Sequence, residues 1–496
     1  MNRLGFDNNM YIRKQSEQIS KRIKEFGGKL YLEFGGKLFD DYHASRVLPG
    51  FAPDSKLQML RKISNDLEIV IVINAADIEK NKCRGDLGIT YDRDVLRLID
   101  AFRATDLYVG SVVLTQFSGQ PSATTFKNRL EALGMKCYVH HLIDGYPFNV
   151  SHIVSEEGFG KNDYIETTRP LVVITAPGPG SGKMATCLSQ LYHEHKRGIS
   201  AGYAKFETFP IWNLPLKHPV NIAYEAATAD LNDLNMIDPY HLEAYGETTV
   251  NYNRDIEIFP VLSSLFKMIY GKCPYNSPTD MGVNMAGFCI CDDEACKAAS
   301  RDEIVRRYFA ALCNKVKGNG TKDTADKVEI LMQQVGVAVE DRPCVKAALD
   351  RSAATENQPA MSIELPDGRI VTGKTSSLLG PSAAALLNAI KLMSGIEKDK
   401  LLIPPEIIEP VQLLKKNVLG NHNPRLHSDE VLIALAISAS RDKQVMGAYE
   451  QLPNLRGCEA HSTVILSQVD EDIFRKLGIN LTCEARYQTK KLYHKS

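Results

Sequence analysis

A short, wholly apolar run of β-branched residues, Ile69–Ile73, constrains the fold more than any other feature of the sequence. A strand without a polar face must be covered on both sides, which is typical of the centre of a parallel sheet. Strand and helix signals alternate around this run, from Leu30–Phe34 to Ile199–Phe206. The alternation predicts an α/β fold with a Rossmann-like, doubly wound and mostly parallel sheet that carries helices on both faces.

The polar, glycine-rich segment Gly318–Asp323 is the predicted domain boundary. It divides the 496 residues into a large N-terminal Rossmann-like domain, 1–322, and a smaller C-terminal α/β domain, 323–496. In the smaller domain, Pro366–Gly368 separates two strand signals and predicts the turn of a β-hairpin. We therefore expect two α/β domains of unequal size.

The charge balance argues against attraction of the whole molecule to nucleic acid or to an anionic membrane. Lys and Arg number 59 and Asp and Glu number 60, so the net charge is −1. No apolar run approaches the ~18 residues of a membrane-spanning helix, and the first residues lack the apolar segment of a secretory signal. The eleven cysteines are an odd number, which favours reduced thiols. We expect a cytoplasmic protein with neither nucleic acid nor membrane as partner.

The strongest local signal is a buried strand, a glycine-rich turn, a lysine and a helix, in that order, over 171–196. Backbone N–H groups in such a turn form a cradle for phosphate together with the helix N-terminus. We expect ATP, another nucleotide or a phosphorylated small molecule to bind here. The predicted binding residues are Gly178, Gly180, Ser181, Gly182 and Lys183. The alternative is a turn that only joins strand and helix.

This turn departs from a P-loop at two positions. The P-loop pattern requires Gly where this chain has Pro177, and a Mg²⁺-binding hydroxyl where it has Met184. Thr186 could supply a hydroxyl, although from a different angle on the helix. Asp230 and Asp233 are predicted to hold Mg²⁺ instead.

A second glycine turn follows the first predicted strand and precedes a dense group of polar residues. The amino-acid kinases have a similar Gly-Gly, normally preceded by Lys, whereas this chain has Glu33. Polar side chains at the carboxyl end of a strand predict a site, here for the acceptor of the reaction. The candidates are Asp40, Asp41, His43 and Arg46. The alternative is a tight strand-to-loop turn.

Three weaker candidates complete the set. Lys374 and Thr375 follow a glycine and precede a helix, which predicts a second anion site or merely a polar hairpin. His461 is predicted to be a general acid or base, with a surface histidine as the alternative. The cysteine spacing over 289–296 is unusual for zinc, so we expect buried, inert thiols and no structural zinc there.

Several long and unusual segments point to one family. The segments LEFGGKLFDDYHASRVLPGF, APGPGSGKMATCLSQLYHE, AKFETFPIWNLPLKHPVN, AYEAATADLNDLNMIDPYH and RGCEAHST span the chain. Through them the sequence resembles a family of bacterial proteins of about this length, described as a domain of unknown function with an amino-terminal and a smaller carboxyl-terminal part. The resemblance implies a cytosolic bacterial protein with a two-domain α/β fold. Some relatives are labelled ATP-dependent peptidase.

Three functional hypotheses follow from these features. The first is an enzyme that binds a nucleotide or phosphorylated small molecule and catalyses phosphoryl transfer, nucleotidyl transfer or an ATP-dependent ligation. The second is an oligomeric protein that binds a phosphorylated metabolite or dinucleotide without hydrolysis, which the missing hydroxyl at Met184 favours. The third, an ATP-dependent peptidase, rests on the resemblance alone. The substrate, the reaction and the subunit count are not encoded in any recognisable pattern.

We predict a homo-oligomer in solution, because a chain of net charge −1 does not repel copies of itself and cytosolic α/β enzymes are commonly symmetric assemblies. Light scattering at micromolar concentration should give a multiple of 55.1 kDa. A mass equal to that of one chain would contradict this prediction.

Overall fold

The computed structural model describes residues 4–36, 38–39, 41–84, 88–397 and 399–489. The chain forms two compact units. The N-terminal unit comprises Leu4–Glu225 and Asp233–Lys297, and the C-terminal unit comprises Ala226–Asn232 and Ala298–Ser496. No helix in the described part of the chain combines the length and apolar character that crossing a membrane requires.

The N-terminal unit is built on a seven-stranded sheet in which every pairing between strands is parallel. Together with two short antiparallel ribbons, its strands are β1 (Leu30–Phe34), β2 (Leu67–Asn74), β3 (Cys83–Arg84), β4 (Ile89–Thr90), β5 (Val109–Phe117), β6 (Lys136–His141), β7 (Leu171–Thr175), β8 (Gly202–Phe206), β9 (Asn235–Ile237), β10 (Val250–Tyr252) and β11 (Gly282–Val283). The order across the large sheet is β11-β8-β1-β7-β2-β5-β6. The pairs β3–β4 and β9–β10 form the ribbons.

Helices accompany these strands, and the last of them, which begins at Asp293, lies mostly in the C-terminal unit. They are α1 (Asn8–Glu25), α2 (Tyr42–Val47), α3 (Ser55–Lys62), α4 (Ala75–Glu79), α5 (Tyr91–Arg103), α6 (Pro121–Ala132), α7 (Val150–Ile153), α8 (Lys183–Lys196), α9 (Pro219–Ala227), α10 (Pro239–Tyr245), α11 (Asn253–Tyr270), α12 (Pro278–Met281) and α13 (Asp293–Lys317). Short 3₁₀ turns supplement them.

The apolar run Ile69–Ile73 lies in β2, between β7 and β5, and all eight residues of β2 are buried. Its side chains alternate between two cores, with Ile69 and Ile71 on one face of the sheet and Val70 and Val72 on the other. A strand enclosed in this way needs apolar side chains on both faces. The predicted α/β architecture with a parallel, doubly wound sheet is confirmed.

The direction of each crossover connection determines which face of the sheet its helix covers. From β1 the chain crosses to β2 on one side, and from β7 it crosses to β8 on the other. Right-handed crossovers in opposite directions place their helices on opposite faces. Accordingly, α3 packs with Leu32 on one face, and α8 packs with Tyr31 and Val172 on the other. The loops after β1 and β7 therefore leave the sheet on opposite sides, which opens a crevice at their carboxyl ends.

The C-terminal unit has a smaller mixed sheet in the order β13-β12-β14-β15. Its strands are β12 (Ala360–Glu364), β13 (Ile370–Lys374), β14 (Glu459–Ser462) and β15 (Asn480–Cys483). The predicted turn at Pro366–Gly368 joins β12 and β13, which pair antiparallel. The helices are α14 (Lys322–Val335), α15 (Pro343–Ala353), α16 (Pro381–Met393), α17 (Pro405–Leu413), α18 (Ser428–Ala439), α19 (Lys443–Tyr449) and α20 (Gln468–Leu477). A second α/β unit is thus confirmed.

A buried carboxylate, Asp470, connects three helix N-termini in this unit. Its Oδ1 accepts hydrogen bonds from the Ser428 backbone N–H (2.9 Å) and hydroxyl (2.6 Å) and from the Ser382 hydroxyl (3.0 Å). Its Oδ2 lies 3.0 Å from Nδ1 of His427 and 2.7 Å from the Ser467 hydroxyl. The hydrogen bond to Asp470 raises the pKa of His427. Burial alone would raise the pKa of Asp470, but His427 and the serine donors lower it well below its usual range.

These shifts predict a pH-dependent contribution to stability. Because the pKa of His427 is raised in the folded state, its stabilisation is full below about pH 6.5 and is lost as the pH rises through the folded value. Because the pKa of Asp470 is depressed, its stabilisation is present above about pH 4 and is lost below it. We expect His427→Gln to lower the free energy of unfolding at pH 6 and to have a smaller effect at pH 9.

Denaturant unfolding of the full chain at both pH values measures this difference, with hydrogen exchange in α18 and α20 reporting on the affected helices. The matched control is His422→Gln, because His422 is exposed and lies in the same connection before α18. An effect of His427→Gln that is independent of pH would contradict the prediction.

Candidate functional site

The glycine turn after β7 lies at the carboxyl edge of the large sheet, beside the crevice. A Cβ on Gly178 would lie 2.2 Å from the Tyr91 hydroxyl, so a larger residue there requires the tyrosine side chain to move. Gly182 has φ +88° and faces Thr115, whose side-chain atoms would lie 3.1 Å from an added Cβ. Both positions therefore favour glycine for a local steric reason, whatever else the turn does.

Neighbouring strands fix the carbonyl groups of this turn. Thr115, in β5, donates from its hydroxyl to the Ser181 carbonyl (2.7 Å), and Asn74, at the end of β2, donates to the Gly180 carbonyl (3.4 Å). The hydroxyl of Ser181 donates to the Gly178 carbonyl at 2.7 Å and is itself buried, so this predicted ligand contact has an internal partner. The carbonyl groups of the turn thus accept hydrogen bonds from side chains of two strands.

The donors of the turn are left available. Within the described part of the chain, the backbone N–H groups of Gly180, Gly182 and Lys183 donate to no acceptor. Lys183 is the first residue of α8, half-buried, and its ammonium forms an ion pair with no described carboxylate. A helix N-terminus adds partial positive charge at this point. The predicted residues therefore form one local group of N–H donors and a cation.

Glu33, at the end of β1, lies close to this group. Cys187 is buried in the second turn of α8, and its pKa is raised by burial and by Glu33 and lowered by Lys183. The Cys187 thiol therefore lies within electrostatic reach of both Glu33 and Lys183, so the ends of β1 and β7 belong to one candidate site. The carboxylate of Glu33 is 9% exposed and accepts a hydrogen bond from the Tyr203 hydroxyl at 2.7 Å.

A lysine between two carboxylates lies next to Glu33 at the end of β8. Lys205 is in register with Glu33, so both side chains point to the same face of the parallel sheet. Its ammonium lies 2.6 Å from Glu207 and forms an ion pair with Asp255, in the first turn of α11. Burial raises the pKa of Glu207 to about 7, with Lys205 lowering it and Asp255 raising it. Burial lowers the pKa of Lys205, but Asp255, Glu207 and Glu33 together raise it above its usual value.

These acid–base residues were not among those predicted from sequence. Lys205 alternates with buried apolar residues in β8, and Glu207 follows the last residue of that strand. Two charged residues on the core-facing side of a strand cost free energy unless they are paired, which is a usable signal of a site. Asp255 gives no such signal, because only the packing of α11 brings it there.

Asp41 lies in the connection between β1 and α2, at the same carboxyl edge of the sheet. It is the N-cap of α2, accepting from Ala44 N–H at 3.2 Å, and it lies 2.7 Å from the buried ammonium of Lys56. Burial raises the pKa of Asp41, but Lys56 and the Ala44 N–H lower it by more, so the pKa is below its usual value. His43 contacts the rings of Phe209 and Tyr224 at 5.4 and 5.3 Å.

Tyr224 connects the two sides of this edge. Its pKa is raised to about 12 by burial, with contributions from Asp41, Asp233 and Glu207. Tyr224 therefore lies within electrostatic reach of both Asp41 and Glu207, and its ring contacts that of His43. Arg46 is half-buried in α2. Asp40 lies outside the described residues.

The predicted magnesium ligands have other environments. Asp233 belongs to the N-terminal unit, and its buried carboxylate is paired with Arg254 at 2.6 Å. Asp230 belongs to the C-terminal unit and is exposed. Among the residues that the structure describes, no group of three or more His, Cys, Asp and Glu side chains could hold a metal ion. Asp230 and Asp233 as Mg²⁺ ligands therefore stay a prediction from the sequence.

The remaining candidates of the sequence lie in the C-terminal unit. Lys374 is exposed at the end of β13, and the Thr375 hydroxyl donates to the Pro359 carbonyl at 3.0 Å. His461 is fully buried in β14, 2.9 Å from the Thr482 hydroxyl and packed on Phe309. Burial lowers its pKa. Of these three, only Lys374 is open to solvent.

The cysteine segment over 289–296 makes local contacts. Cys289 and Cys296 are buried, and their thiols donate to the carbonyls of Met285 (3.3 Å) and Gly5 (3.4 Å). Cys291 is exposed. All eleven cysteines of the chain are free.

Comparison with known proteins agrees with the resemblance seen in the sequence. Residues 4–336 match the N-terminal domain of unknown function DUF1846, and residues 340–493 match its C-terminal counterpart. A UPF0371 protein of Streptococcus thermophilus is 57% identical over 495 residues, which is 100% of both chains. A UPF0371 protein of Streptococcus pyogenes is 56% identical over the same length and coverage. The chain therefore belongs to the bacterial UPF0371 family, the proteins that carry the two-part DUF1846 domain.

Proposed function

We propose that the chain is an enzyme of the phosphoryl- or nucleotidyl-transfer type that binds a nucleotide or another phosphorylated small molecule at the carboxyl edge of the seven-stranded sheet. One observation supports the binding above all. The turn after β7 offers the N–H groups of Gly180, Gly182 and Lys183 and one ammonium, with no acceptor or carboxylate partner among the described residues. Such donors at a helix N-terminus match the several oxygens of a phosphate.

The spacing of the strands supports a ligand larger than phosphate. Neighbouring strands lie about 4.8 Å apart, and β1 separates β7 from β8, so the carboxyl ends of β7 and β8 are about 10 Å apart. A ligand with its phosphate on the turn and its other end at β8 must span that distance. A sugar phosphate or a nucleotide is long enough, and inorganic phosphate is not.

A binding protein without hydrolysis is the second candidate, and the start of α8 favours it. Met184 stands where a P-loop has its metal-binding hydroxyl, and Thr186 is 0% exposed. Neither residue can present a hydroxyl to a metal bound with the phosphates. Turnover of ATP with Mg²⁺ separates the two candidates. The peptidase hypothesis has only the resemblance behind it.

We expect Lys183→Ala to weaken binding of ADP or pyrophosphate by ten- to a hundredfold, because it removes one charge-assisted interaction of about 1.5–3 kcal/mol. Folding should be unaffected, since the lysine side chain is only half-buried and has no described ion-pair partner. Isothermal calorimetry with both ligands measures the change. Added salt should weaken binding by the wild type more than by the variant.

Lys196→Ala is the matched control, since Lys196 ends the same helix and forms an exposed ion pair with Glu156. It should bind the ligands as tightly as the wild type does. Equal affinities of wild type and Lys183→Ala would show that the turn is only a connection between β7 and α8.

A further inference from the structure

We propose that Glu207 is the catalytic residue that exchanges a proton with the hydroxyl group of the acceptor, and that Lys205 and Asp255 are its positioning residues. This inference rests on the proposed function, because the phosphorylated ligand is what brings the reacting group to Glu207. It assigns a role to a group of side chains that no sequence pattern singled out.

The first argument is the arrangement of charge. The ammonium of Lys205 forms ion pairs with two carboxylates, Glu207 and Asp255, and a third, Glu33, lies beside it in register on β1. Two carboxylates that share one cation cannot both lose their protons easily, and the pair titrates as a unit. A group that holds a proton near neutral pH is suited to general acid–base catalysis. The pKa of Glu207, raised to about 7, agrees with this arrangement.

The second argument is access. The side chains of Glu207, Lys205 and Asp255 are 12, 21 and 20% exposed, so a ligand in the crevice can reach them.

The third argument is position. The acid–base residues and α8 are on the same face of the sheet and at the same edge, one strand apart from the phosphate turn. The titratable and charged groups around this cluster are Lys205 and Tyr203 of β8, Glu33 of β1, Asp255 and Arg254 of α11, Asp233, Tyr224 of α9 and Tyr252 of β10. Of the two cations among them, Arg254 is paired with Asp233 and Lys205 with Glu207 and Asp255.

The proposed step conserves atoms and charge. The O–H bond of the acceptor hydroxyl breaks, and its proton moves to a carboxylate oxygen of Glu207. The electron pair left on the acceptor oxygen forms the new bond to phosphorus. The bond from phosphorus to the leaving oxygen breaks, and the leaving oxygen keeps its electron pair. The ammonium of Lys205 keeps Glu207 in place and balances its charge before the transfer.

The test combines two measurements on the full chain. Infrared difference spectra between pH 5 and pH 9 should show a carboxylic acid band in the wild type that titrates with a midpoint near 7. Glu207→Gln should lack the band. Asp255→Asn should retain it with a lower midpoint, because a like charge next to Glu207 is gone. This second variant keeps the test decisive if Glu207→Gln does not fold.

Calorimetry with ADP at pH 7, in two buffers of different ionisation enthalpy, measures the proton taken up on binding. A bound anion raises the pKa of a nearby carboxyl group, so the wild type should take up a fraction of a proton. Glu207→Gln should bind ADP within about threefold of the wild type without proton uptake. Glu131→Gln is the control, because Glu131 forms an exposed ion pair with Lys127 on α6 and should behave as the wild type does.

Each outcome decides between the two proposals. ADP binding with proton uptake that disappears in Glu207→Gln supports both. ADP binding with the same uptake in Glu207→Gln, or a band that persists in that variant, overturns the role of Glu207 and leaves the phosphate turn standing. If neither ADP nor pyrophosphate binds, the proposed function fails, and the catalytic role fails with it whatever the band shows.

Discussion

The handedness of the crossover connections is the constraint on which the candidate site depends. Right-handed crossovers from β1 and β7 run in opposite directions, so their helices pack on opposite faces of one sheet. The loops after these two neighbouring strands cannot lie on the same side. The resulting crevice is a product of chirality and strand order, and the apolar core of β2 makes the arrangement stable. The candidate functional residues lie at the ends of the strands.

The site combines two kinds of electrostatic environment. At the turn after β7, donors and positive charge from Lys183 have no counterpart among the described residues. At the end of β8, negative charge exceeds positive charge around Lys205. Between them, Cys187 lies within electrostatic reach of Lys183 and Glu33, and Glu33 lies within reach of Lys205. Under the proposed function, the first region would attract an anionic ligand, and the second would favour groups that carry or donate protons.

The sequence predicted the fold well where a pattern had one physical meaning. The run Ile69–Ile73 can only be a covered strand, and Pro366–Gly368 can only be a turn. Ser300 and Glu303 have the spacing of a capping box, which is typical of a helix start, but they lie inside a longer helix. Helix α13 already begins at Asp293, and Ser300 is 0% exposed inside it. Glu303 pairs there with Arg306 and Arg307, since the spacing of a capping box also suits ion pairs within a helix.

The site was predicted in part for the same reason. The glycines and Lys183 are contiguous in sequence, so their grouping was visible. Glu33, Lys205 and Asp255 are far apart in the chain, and only strand register and the packing of α11 bring them together. Register is set by the hydrophobic pattern of the whole sheet. No local motif of this chain contains that information.

If the glycine turn binds a ligand as proposed, its anchoring determines how fast and how tightly that ligand is captured. Asn74, Thr115 and Ser181 hold its backbone through three hydrogen bonds, and Tyr91 packs against Gly178. Fixing a free backbone costs roughly 1–2 kcal/mol of conformational entropy per residue. In this turn the ordering takes place when the protein folds, so an arriving ligand has little backbone left to order. Capture then resembles docking onto a rigid surface, and its rate is set by encounter and desolvation instead of by loop closure.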